Sequence, residues 1–214
     1  MLSDLQRRVA TLFLSLPETD GFALAGGAAL IVQQVVVRDT RDLDLFVHDL
    51  SAVRAASDAF VARATTNGWT VEVLRSGPAF SKLLVGDGTD SVQMELGYDY
   101  RWLPADDSDL GPVLSIAELG VDKLLALFGR AEARDFVDVF HLAELLGIGT
   151  MVDNASQKDP GFDPYHLAVN LDLMDRHARD AFQVEDDTLT AMREFFDALR
   201  ADLIDRTLAG PDKR

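Results

Sequence analysis

The spacing of apolar residues changes character about halfway along this chain. Residues 2–16 place Leu5, Val9, Leu12, Phe13 and Leu16 at helical period, and Pro17 ends the pattern. Residues 22–25 read as a short buried strand. Residues 28–37 read as a helix that frays into a β-branched end, and residues 43–47 as a strong buried strand. Ser51 is placed to cap a helix that runs to the Asn67-Gly68 turn signal. Residues 69–74 alternate like a strand, and 80–85 form another. Gly86-Asp87-Gly88-Thr89-Asp90 is a hairpin turn signal, and residues 91–97 are the partner strand.

Beyond Asp99 the strand signals stop. Residues 104–112 form a polar, proline-bounded connection, and helical patterns then cover 115–128, 131–146, 164–182 and 187–208. Residues 147–163 read as a loop, and 210–214 as a frayed end. No internal repeat is visible. The simplest organisation is an α+β protein: an α/β core over residues 1–103, whose small mixed sheet carries the site, and a helical C-terminal module over 104–214.

The strand at 43–47 is where chemistry enters. Asp42 and Asp44 lie two positions apart, so they share one face of the strand while Leu43, Leu45 and Val47 face the core. Two carboxylates on one face repel each other unless a cation neutralises them. Hard cations such as Mg²⁺ take oxygen ligands and commonly sit between carboxylates and substrate phosphates. Glu95 shares its strand face with Gln93. If that strand lies beside residues 43–47, Glu95 could approach Asp42 and Asp44 as a third metal-site carboxylate; the other reading is a solvent-facing strand residue.

Around this pair stand further candidates. Gly26-Gly27 fits a close approach of backbone N–H groups to a phosphate at a helix start, or a plain turn. Thr40 and Arg41, with Arg38, offer a hydroxyl and charge for phosphate oxygens, or are a turn threonine and solvated arginines. Lys123, flanked by Leu119, Leu124, Leu125, Leu127 and Phe128, either snorkels to solvent or reaches a triphosphate. Asp135 and Asp138 are one helical turn apart, and Arg134 is spaced to pair with Asp138. Asp106, Asp107 and Asp109 lack the spacing of a calcium loop and read as solvated charge.

Composition narrows the partners. The hydrophobic fraction of 48% suits a globular chain able to bury a core, and no apolar run is long enough to span a bilayer. The N-terminus mixes charges into helical spacing, unlike a signal peptide, and the absence of cysteine fits a cytoplasmic protein. The formal net charge of −16 opposes extensive wrapping of nucleic acid but leaves room for a local contact.

Taken in order, Gly26-Gly27, then Thr40-Arg41-Asp42-Leu43-Asp44-Leu45-Phe46, then residues 123–130 from Lys123 to Arg130, then Arg134-Asp135-Phe136-Val137-Asp138 resemble the AbiEii/AbiGii nucleotidyltransferase toxin family. Its relatives include the MenT toxins of the polymerase-β-like nucleotidyltransferase superfamily. The similarity covers roughly residues 20 to 145. It implies transfer of a nucleoside monophosphate from an NTP to an acceptor, with loss of pyrophosphate. In MenT relatives the acceptor is the 3′ end of tRNA and the donor tends to be a pyrimidine triphosphate. By the same resemblance Asp42 and Asp44 hold Mg²⁺, Lys123 contacts the triphosphate, and Asp138 or Asp135 supports the acceptor hydroxyl or the lysine. A cognate antitoxin is the implied protein partner. One departure stands out: the family commonly has threonine or serine after Gly-Gly, whereas this chain has Ala28.

Two other readings remain. An aminoglycoside-type small-molecule nucleotidyltransferase keeps the chemistry and suits the acidic charge, because acidic clefts attract polycations. A catalytically silent domain that binds a nucleotide or a partner is the third.

Overall fold

Ser3 starts the first helix by reciprocal capping. Its hydroxyl accepts from the Gln6 N–H at 3.1 Å, and the Gln6 carboxamide oxygen accepts from the Ser3 N–H at 2.8 Å. The computed structural model describes residues 1–209; residues 210–214, expected from sequence to fray, lie outside the described residues. In chain order the elements of the first part are α1 (Asp4–Leu14), β1 (Ala23–Ala25), α2 (Gly26–Val32), β2 (Asp42–Val47) and α3 (Ala52–Thr66). Then come β3 (Thr70–Ser76), β4 (Phe80–Gly86), β5 (Ser91–Tyr98), β6 (Ala105–Ser108), β7 (Gly111–Leu114) and α4 (Ile116–Gly129). Two compact units result, Met1–Leu119 and a second from Gly120 onward, with the division falling inside α4.

In the first unit all seven strands form one mixed sheet in the order β3-β4-β5-β2-β1-β7-β6. The β2–β5 and β1–β7 pairs are parallel and the others antiparallel. Alternation gives the sheet one dry face, where Leu43, Leu45, Val47, Leu83, Val85, Val92, Met94 and Leu96 are buried. Helices α1 and α3 pack on the sheet, and Phe13 meets Phe22 and Phe60 edge-on at 5.1 and 5.7 Å. Asp42, Asp44, Lys82, Gln93 and Glu95 occupy the alternate positions on the opposite face.

Three local expectations change. The helix expected over 28–37 starts earlier, at Gly26, and stops at Val32; Gln34 takes φ +60° and the valine run that follows is not helical. Ser51 does not cap α3 with its side chain. Its hydroxyl is engaged before the helix begins, donating to Asp49 Oδ1 at 2.7 Å, and the same oxygen accepts from the Ser51 N–H at 2.9 Å. The polar stretch 104–112 is a hairpin, β6 and β7, on the edge of the sheet. An edge strand tolerates the exposed Asp106 and Asp107, and Pro112 opposite Asp107 lies one residue into β7, so composition alone read as loop.

The second unit is helical. Besides the continuation of α4 it holds α5 (Ala133–Leu146), α6 (Ile148–Lys158), α7 (Pro164–Leu171) and α8 (Asp186–Ala209). Residues 147–163, expected as loop, contain α6. Its sequence is polar, but Met151, Val152 and Ala155 form a narrow buried stripe, and Gly147 at φ +77° turns the chain between α5 and α6. The helix expected over 164–182 ends at Leu171 and continues as two short 3₁₀ turns, Asp172–Arg176 and Arg179–Phe182. Between them His177 is extended, its ring bonded to the Ala131 carbonyl at 2.7 Å. Phe136 meets Phe196 at 5.1 Å in the core of this unit. At Gly120 an added Cβ would lie 2.4 Å from Leu146, so α4 and α5 approach closely there.

Candidate active site

Asp42 and Asp44 project from β2 on the open face, half-buried between core residues that are fully buried. Gly26 explains how Asp44 fits. It has φ +59°, a conformation disfavoured for any side chain, and an added Cβ would stand 1.8 Å from Asp44 Oδ2 and 2.8 Å from Cγ. Gly27 keeps a second space clear, where a Cβ would lie 2.9 Å from Arg38 Nη2 and 3.1 Å from Thr40 Oγ1. The two glycines therefore let the start of α2 lie against Asp44, Arg38 and Thr40.

Thr40 also touches the acidic pair, donating from Oγ1 to Asp42 Oδ1 at 3.2 Å. The segment that carries it is tied down from α1, where Gln6 Nε2 donates to the Thr40 carbonyl at 2.9 Å. The N-terminal ammonium adds bonds to the Arg38 carbonyl at 2.7 Å and Asp39 Oδ1 at 2.9 Å, both exposed and correspondingly weak. Arg41 is exposed at the head of β2.

β5 lies beside β2, with Glu95 directly opposite Asp44 and Gln93 opposite Asp42. On the far side of β5, Lys82 of β4 is opposite Glu95 and donates from Nζ to Glu95 Oε1 at 2.7 Å. Three neighbouring strands thus line up Asp44, Glu95 and Lys82 in one row. The Lys82 ammonium is held above its ordinary range by the Glu95 hydrogen bond first, opposed by partial desolvation. Attraction to Glu95, Asp42 and Asp44 adds to the rise.

Lys82 was not among the candidates from sequence, although the signal was present. The Gly86–Asp90 turn sets an antiparallel register, and counting back from it puts Lys82 opposite Glu95.

The second unit holds a different constellation. Lys123, on α4, and Asp138, on α5, form an ion pair at 2.9 Å with side chains only 9% and 0% exposed. Arg134 instead bonds Glu132 Oε2 at 2.9 Å, so the expected alternative pairing of Arg134 with Asp138 is not the one formed. Asp135 is held otherwise. Arg130 clamps it with Nε and Nη2, both at 2.9 Å, and the Glu132 N–H donates to it at 3.2 Å in a capping box that starts α5. Asp138 is thus the partner of the lysine, and Asp135 the anchor of the helix start.

Asp42 and Asp44 make an all-oxygen donor pair, with the Thr40 hydroxyl bonded to Asp42, which fits a hard divalent cation. Among the described residues, no three His, Cys, Asp or Glu side chains converge closely enough to hold a metal by themselves. A cation on Asp42 and Asp44 would complete its shell with phosphate oxygens and water, the usual arrangement for Mg²⁺. No helix among the described residues is long and apolar enough to cross a membrane.

Comparison with known proteins gives the family and the fold. The family model described as "Nucleotidyl transferase AbiEii toxin, Type IV TA system" matches residues 11–209. No functionally curated protein matches the chain in sequence. Among solved structures, the nucleotidyltransferase toxin MenT4 of Mycobacterium tuberculosis H37Rv is similar with a TM-score of 0.61 and 21% identity, over 91% of this chain and 82% of that one. JHP933 of Helicobacter pylori is similar with a TM-score of 0.55 and 19% identity, over 98% and 97% of the two chains. At these identities the likeness establishes the fold, a nucleotidyltransferase α+β fold.

Proposed function

The chain belongs to the AbiEii nucleotidyl transferase toxin family of type IV toxin–antitoxin systems, and on that premise we propose that it is a Mg²⁺-dependent toxin that transfers NMP from an NTP to the 3′ end of tRNA. The observation that carries the site assignment is the fit of Gly26 against Asp44. The Gly-Gly start of α2, the Thr40 hydroxyl and the two β2 carboxylates are built against one another, as a triphosphate–metal site requires.

In this reaction the acceptor hydroxyl attacks the α-phosphorus, the bond to the bridging oxygen of the β-phosphate breaks, and pyrophosphate leaves. A bound Mg²⁺ supplies neutralisation of the phosphate charge that builds up during the displacement. Asp42 and Asp44 would hold that ion, and the Thr40 hydroxyl restrains the Asp42 carboxylate by its hydrogen bond. Gly26 and Gly27 give phosphate oxygens access to the backbone at the start of α2, and Arg41 adds positive charge beside the pair. The family resemblance assigns Lys123 to contact with the triphosphate. Asp138 positions its ammonium through the 2.9 Å ion pair, while Asp135 holds the start of α5.

Incubation with each labelled NTP, Mg²⁺ and total RNA tests the proposal. Label from one preferred NTP should enter the tRNA fraction, and Asp44→Asn should lower the rate at least about a hundredfold, the loss of several kcal/mol of charge stabilisation. Labelling by Asp44→Asn at the wild-type rate would reject the assignment. The net charge of −16 favours a second acceptor class, a small polycation of the aminoglycoside kind. Expression tells the two apart: growth arrest reversed by Asp44→Asn supports the toxin, and drug resistance supports the small acceptor.

A further inference from the structure

Lys82 stands where a second cation would otherwise have to act. It lies in the same row as Asp44 and Glu95 across three strands, and its ammonium is 2.7 Å from Glu95 Oε1. The two side chains are 31% and 25% exposed, so the pair is partly shielded from water yet sits at the rim of the open face. Three carboxylates on neighbouring positions of one face repel one another when ionised. Asp42 and Asp44 offer oxygen ligands to one divalent ion, and Glu95 is held by the Lys82 ammonium.

We propose that Lys82 is a built-in counter-cation that withholds Glu95 from metal binding, so that the carboxylate row takes one divalent cation rather than two. This rests on the metal assignment of Asp42 and Asp44 made above and extends it to stoichiometry. The ammonium occupies Glu95 Oε1, and its positive charge repels a second ion at close range. Lys82 is a positioning residue here: it acts on the site through Glu95.

The test is equilibrium binding of Mn²⁺ to the full chain without nucleotide, read from the EPR signal of free Mn²⁺. The wild type should bind one Mn²⁺ per chain. Lys82→Met should bind a second Mn²⁺, or bind the first at least about tenfold more tightly, because removing a unit charge a few ångströms away is worth more than a factor of ten. Lys82→Arg should behave like the wild type, and adding Glu95→Gln to Lys82→Met should abolish the gain. Lys82 is partly exposed, so Lys82→Met should keep the wild-type circular dichroism spectrum, which separates the effect from misfolding. Two Mn²⁺ on the wild type, or unchanged binding in Lys82→Met, overturns the role of Lys82 alone. No Mn²⁺ binding by either protein overturns the metal assignment of Asp42 and Asp44 along with it.

Discussion

Gly26 is the residue on which the acidic pair most directly depends. Its φ of +59° and the 1.8 Å distance from a virtual Cβ to Asp44 Oδ2 state two separate requirements, one on the backbone and one on space. In Gly26→Ala the left-handed conformation costs about 1–2 kcal/mol, which for a chain of this size lowers Tm by roughly 2–8 °C. The displaced carboxylate should also cut nucleotidyl transfer by about a hundredfold, the scale of an ångström misplacement. Calorimetry and initial rates measured on the same preparation check both effects, and a variant with wild-type rate would show that Asp44 need not sit against the glycine. The weight of Gly26 and Asp44 was legible from the order of motifs in the chain. That they touch was not, because contact between a helix start and the next strand depends on the antiparallel register of β1 and β2, where Ala25 lies opposite Asp44.

At the scale of elements, the buried Lys123–Asp138 pair ties α4 to α5 inside the second unit. Removing one partner leaves a buried charge alone, so Asp138→Ala should lose about 3–5 kcal/mol of stability, measured by urea denaturation. Replacing both, as Lys123→Met with Asp138→Leu, should recover most of that loss while restoring no nucleotidyl transfer. A double variant as unstable as the single one would mean that the pair has a packing role that apolar side chains cannot fill. The sequence spacing named both residues and left Asp135 and Asp138 undecided. Packing decides which of them meets the lysine: Arg130 and the Glu132 N–H claim Asp135, and α4 brings Lys123 to Asp138. The two stretches that read as loop share one cause. The β6–β7 hairpin and α6 are polar in composition, and their identity comes from a sheet edge and a narrow buried stripe that lie below the resolution of periodicity.

For the whole molecule, the charge of −16 is the dominant long-range property. If RNA is the acceptor, two polyanions must meet, and their repulsion extends about 30 Å at 0.01 M salt but only about 8 Å at 0.15 M. The initial rate of RNA labelling should therefore rise as salt increases over that range, whereas labelling of a small polycation should fall. A steep fall with RNA would instead reveal a local basic contact that releases counterions and outweighs the net charge.

By itself the sequence determined the chemistry of this protein. The Asp42–Asp44 spacing puts two carboxylates on one strand face whatever lies around them, and the order of Gly-Gly, Asp-x-Asp, lysine and the Asp135–Asp138 helix points to one family. Tertiary structure alone decided how the charges are partnered. Glu95 meets Lys82, Asp42 meets Thr40 and Asp138 meets Lys123, because hydrogen bonds and ion pairs form between side chains that register and packing bring within about 3 Å, and strand order and helix approach are set by the burial of the whole core.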